Sequence, residues 1–108
     1  MAGPKEEFLD ILRSKSRETL VTSHAAARSK QRHIPLSVFE NDVYKSEPAV
    51  VIEKESETAG FRKFDLYYYQ TQDYFHRYVV VLNDYIRLIT LMRVSKAKQS
   101  LFRSKQVV

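Results

Sequence analysis

Only two glycines, Gly3 and Gly60, occur in 108 residues, and glycine is the residue that supplies left-handed backbone to tight turns. Gly3 lies in the leading tetrapeptide, so Gly60 alone is left for a hairpin that needs positive φ, which argues against a sheet of many tight hairpins. The expectation is a mainly α chain. Cysteine is absent, which excludes disulfides and thiolate metal sites. The length suits one structural unit, and 44% apolar with 29% charged residues is ordinary for a folded chain.

Three regions follow from the local signals. In residues 1–33, Pro4 with Glu6 and Glu7 is a helix opening, because proline fits the first turn and carboxylates there complement the helix dipole. Phe8, Ile11 and Leu12 share a face, and Leu20 and Val21 roughly rejoin it, so one N-terminal helix is expected to run until Pro35 forces His33 and Ile34 out of it. Residues 34–60 read as an acidic, irregular and extended connector. Within it, Ser37 and Glu40 have capping-box spacing, and the apolar run at 49–52 suggests a lone strand without a partner.

Residues 61–108 carry the strongest pattern. No glycine or proline occurs from Phe61 to Phe102. Apolar or aromatic residues recur at Phe64, Tyr67, Tyr68, Phe75, Tyr78, Leu82, Tyr85, Ile89 and Met92, and from Phe75 onward the spacing alternates as in a coiled-coil seam. This predicts one long amphipathic C-terminal helix, with Asp73–Arg77 and Asp84–Arg87 as ion pairs along it; the alternative is a helix broken near Asp73 or Asn83 into two antiparallel pieces that close a small three-helix bundle. Tyr67-Tyr68-Tyr69 and Val79-Val80-Val81 lean toward strand on propensity alone. A helix over 61–102 would be about 60 Å long, against a compact diameter of about 34 Å for a chain of this size. The expected object is therefore non-globular or assembly-dependent, and the nine residues just named are expected to bind a partner.

Charge is segregated along the chain. Residues 1–33 hold seven basic and four acidic groups, 34–60 two and six, 61–84 three and three, and 85–108 six and none. Arg87, Arg93, Lys96, Lys98, Arg103 and Lys105 are therefore expected to meet an acidic partner. No apolar leader opens the chain, and charged residues interrupt the most apolar run, Tyr78 to Val94, so an intracellular location without a cleavable signal is expected, mitochondrial or cytoskeletal surroundings included.

Catalytic patterns are missing. Two glycines cannot make a phosphate loop or a dinucleotide fingerprint. Asp73 and His76 have the helical spacing of half a di-metal site, but no second acidic-x-x-His pair exists to complete it. His24 and His33 are isolated. No catalytic residue, metal or cofactor is expected. The basic runs Arg13-Ser14-Lys15-Ser16 and Arg28-Ser29-Lys30-Gln31-Arg32 resemble phosphorylation or localisation patches. Together these features predict a non-catalytic structural or accessory subunit of a larger protein assembly, such as a respiratory or ATP-synthase complex, an axonemal lattice or a ribosome. Hetero-association is expected over self-association, and no small-molecule substrate is expected. The alternatives are a basic nucleic-acid-binding module and an amphipathic helix protein of the membrane surface.

Overall fold

The computed structural model describes residues 3–14 and 16–95. In chain order the elements are α1 (Pro4–Ser14), β1 (Glu18–Val21), α2 (Ser23–Gln31), α3 (Leu36–Lys45), β2 (Val50–Lys54), β3 (Arg62–Tyr69), β4 (Tyr74–Leu82) and β5 (Tyr85–Ser95). The strands form one sheet in the order β1-β5-β4-β3-β2. β1 runs parallel to β5, and every other pair is antiparallel.

The mainly α expectation is thus overturned, and with it the single long helix and its coiled-coil seam. Residues 61–95 fold into three consecutive strands. The β-branched and aromatic runs at 67–69 and 79–81 prefer a pleated surface. Alternation is blurred because both faces of β3 and β4 carry buried residues, Phe64, Leu66 and Tyr68 on one side and Asp65 and Tyr67 on the other. The overhang goes too, since the chain has a radius of gyration of 13.4 Å and extents of 35 × 34 × 27 Å.

Two of the hairpin turns close without glycine because side chains supply their hydrogen bonds. The β4–β5 turn at Asn83-Asp84 uses no positive φ, because His33 is the one non-glycine residue with positive φ among the described residues. Instead Asn83 Oδ1 accepts from the Tyr85 N–H at 2.9 Å, so a side chain substitutes for the usual turn backbone. In the β3–β4 turn Thr71 Oγ1 accepts from the Asp73 N–H at 3.1 Å. Gly60, at φ +83°, serves the β2–β3 loop.

The N-terminal helix is likewise interrupted. Thr22 caps α2, its Oγ1 accepting from the Ala25 N–H at 3.1 Å, and the residues before it extend as β1 beside β5. α3 begins after Pro35 without a side-chain cap, so the Ser37–Glu40 capping box does not form. The run at 49–52 is extended as expected, but it has a partner: β2 pairs with β3, Val50 opposite Tyr67.

All three helices bury residues against one face of the sheet. Phe8 and Leu9 of α1, Ala25 of α2, Ile34, and Phe39 and Val43 of α3 form one core with Val51, Phe64, Leu66, Tyr68, Tyr78, Val80, Leu82, Ile86, Leu88 and Leu91. On the opposite face a second, smaller cluster joins Val50, Tyr67 and Phe75 with Ala49, Ile52 and Val94, and no described helix contributes to it. β5 reaches both faces by way of an irregularity: Val79 pairs with Thr90 but Val80 with Leu88, leaving Ile89 as an extra, bulged residue.

Candidate functional site

The nine residues expected to bind a partner divide between the two faces. Phe64, Tyr68, Tyr78 and Leu82 belong to the core beneath the helices. Tyr67, Phe75 and Met92 lie on the opposite face, Tyr67 opposite Arg77 and Arg77 opposite Met92. Tyr85 opens β5 and is 39% exposed, and Ile89 is the bulge. Of the basic residues, Arg87 pairs in register with Val81, whereas the Arg93 guanidinium donates to the Arg32 and His33 carbonyls and lies 5.6 Å from the Tyr74 ring. Lys96, Lys98, Arg103 and Lys105 lie outside the described residues.

Two places carry chemistry. The first is a polar cluster buried between α3 and the sheet. Asp42 projects from the apolar side of α3, between Phe39 and Val43, and its Oδ2 accepts from the Tyr78 hydroxyl at 2.6 Å and from Gln70 Nε2 at 2.8 Å. His76 Nδ1 lies 3.0 Å from the same Tyr78 hydroxyl. A phenol has one hydrogen, so with Asp42 ionised and holding it, His76 must carry its proton on Nδ1 and donate. His76 Nε2 is then an acceptor. It and the Tyr68 hydroxyl are buried and find no protein partner among the described residues, although Tyr68 and His76 face each other across β3 and β4.

Burial dominates the electrostatics. It raises the Asp42 carboxyl above the usual aspartate value, and the bonds from Tyr78 and Gln70 pull it part of the way back. It lowers His76 to about 4, helped by the charge of Arg93. The Tyr68 and Tyr78 phenols are both raised by burial, with the Asp42 hydrogen bond adding to the second. At neutral pH the cluster therefore holds a neutral imidazole and two neutral phenols around Asp42. His76 is only 5% exposed and makes no helical pair with Asp73, which lies in the β3–β4 turn. Among the described residues no group of three potential metal ligands occurs.

The second place is the sheet face away from the helices. The registers align Ile52, Asp65, Val79 and Thr90 in one row, and Lys54, Lys63, Val81 and Arg87 in another, with Leu20 beside Arg87. Asp65 is buried and accepts from Arg77 Nη2 at 2.5 Å and Nε at 3.1 Å, while the guanidinium lies 6.0 Å from the Tyr67 ring. Arg77 is thus paired across strands with Asp65 and not with Asp73. Beyond the basic row, Lys63, Val81, Arg87 and Ile89 line a hollow of about 280 Å³ together with Phe61 and the Glu55–Thr58 loop, whose Glu55 and Glu57 bring two carboxylates to it. The face therefore combines an apolar and aromatic end with a basic end.

Sequence reasoning missed Asp42, Asp65 and Gln70. Only Asp65 had a signal, as a lone carboxylate between apolar residues in Phe64-Asp65-Leu66; Asp42 follows Glu40 and Asn41 and is marked out only by its helical spacing from Phe39. Gln70 had none. No family model, curated protein or solved structure matches the chain, and no described helix is long and apolar enough to cross a membrane.

Proposed function

We propose that the protein is a non-catalytic accessory subunit that docks a protein partner on the sheet face left uncovered by its helices. The observation that supports this is the one-sidedness of the fold. α1, α2 and α3 all pack against one face, while the other, with no described helix over it, sets Val50, Ile52, Val79, Val81 and Met92 among Asp65, Arg77, Lys54, Lys63 and Arg87. Lys54, Lys63 and Arg87 at one end select a partner with an acidic rim around an apolar patch, because complementary charge at a rim sets orientation and encounter rate. The buried Asp42 cluster has a structural role in this reading: it fixes α3 on the sheet.

The test is affinity isolation of the tagged protein from its native cells. A stoichiometric protein companion is expected, and it should be lost in Ile52→Glu and Val81→Glu variants whose circular dichroism and melting temperature match the parent. A companion retained by both variants, or a clean monomer, would overturn the reading. Retention of nucleic acid with steep salt dependence would replace it with the basic-module alternative.

A further inference from the structure

Three serines sit in the two basic runs, and the fold separates them. Ser29 is buried in α2 and its hydroxyl donates to the Ile34 carbonyl at 2.6 Å. Ser14 ends α1 with its hydroxyl turned back onto the Ile11 carbonyl at 2.7 Å. Ser16 is exposed and lies between α1 and β1, outside regular structure. Arg13, three residues earlier, is also exposed, and Arg13, Ser16 and Arg17 line a hollow of about 370 Å³ with Tyr44.

We propose that Ser16 is a phosphorylation site for a basophilic serine kinase. A kinase of this class reads a substrate cation upstream of the hydroxyl through acidic groups in its own cleft, which is recognition by charge pattern. Arg13, in the last turn of α1, supplies that cation, and Ser16 supplies an exposed hydroxyl outside regular structure. The γ-phosphoryl group of ATP passes to Ser16 Oγ, the hydroxyl proton goes to the kinase's base, and ADP leaves.

The modification has a local target. The Arg17 guanidinium donates to the Ile11 carbonyl of α1 at 2.6 Å and to the Asn83 carbonyl of the β4–β5 turn at 2.7 Å, clamping the two elements together. A phosphate on the preceding residue accepts more strongly than either carbonyl. Phosphorylation therefore draws Arg17 off the clamp and loosens the β4–β5 turn from α1.

The experiment uses the native full chain with ATP and the catalytic subunit of a cyclic-nucleotide-dependent serine kinase. One phosphate per chain is expected on Ser16. Ser16→Ala should abolish it, and Arg13→Ala, which keeps the acceptor, should slow it by about tenfold, the worth of one charge-assisted contact. Amide exchange at Asn83–Tyr85 should quicken in the phosphorylated protein. Label that maps to Ser14, Ser100 or Ser104, full-rate labelling of Arg13→Ala, or a native chain that takes no label would overturn the site. Unchanged exchange in the modified protein would overturn the released clamp.

Discussion

Removing the Asp42 carboxylate would strand two donors at once, the Tyr78 hydroxyl and Gln70 Nε2. An unpaired buried donor costs about 1–3 kcal/mol, so Asp42→Ala should lower the urea-unfolding free energy by about 2–4 kcal/mol, and loss below about 1 kcal/mol would show that the bonds are not made. His76 makes the same cluster sensitive to acid. Its folded pKa of about 4 lies below the ordinary 6.5, so the unfolded chain binds the additional proton first and stability falls as pH drops from about 6.5 to about 4. At about 1.4 kcal/mol for each tenfold of proton affinity, the full loss is on the order of 3 kcal/mol. Asp42 acts in the opposite sense, since its raised pKa favours the folded state as it protonates. The net slope should flatten or reverse in His76→Gln, which denaturant titrations at pH 4.5 and 6.5 would check. This cluster was half legible in the sequence. Tyr68 and Tyr78 stand out as aromatics, but Asp42 meets Tyr78 only once the chain is folded, 36 residues apart.

At the scale of elements, single side chains decide where helices and strands begin. Thr22→Ala would remove the α2 cap and should cost about 1 kcal/mol. Asn83→Ala would remove the bond that closes the β4–β5 turn, again at about 1 kcal/mol, whereas Asn83→Gly should be tolerated better because glycine opens turn geometries of its own. Thermal melts of the three variants would rank them. The start of α1 at Pro4 and the end of α2 before Pro35 could be read from the sequence because their signals are local. The second half could not. The spacing of Phe75, Tyr78, Leu82, Tyr85, Ile89 and Met92 matches a helical seam, yet the fold sends Tyr78 and Leu82 to one face and Phe75 and Met92 to the other, with a turn and a bulge between. The period was a coincidence of three separate alternations, interrupted where Asn83 stands in for glycine.

For the molecule as a whole, the sheet is held by a cross-strand ion pair on one face and helices on the other. Arg77→Ala would leave Asp65 charged and buried, and since Arg77 itself is partly exposed the expected loss is about 2–3 kcal/mol, measurable in urea. Beyond Val21, β1 no longer covers β5, and side chains take over its pairing. Thr22 Oγ1 donates to the Ile89 carbonyl at 3.3 Å and an Arg32 nitrogen to the Leu91 carbonyl at 2.7 Å. A bare backbone margin of this kind recruits stray strands from neighbouring molecules. Here a hydroxyl and a guanidinium, one at each end of α2, occupy the positions an intruder would need along this stretch of β5.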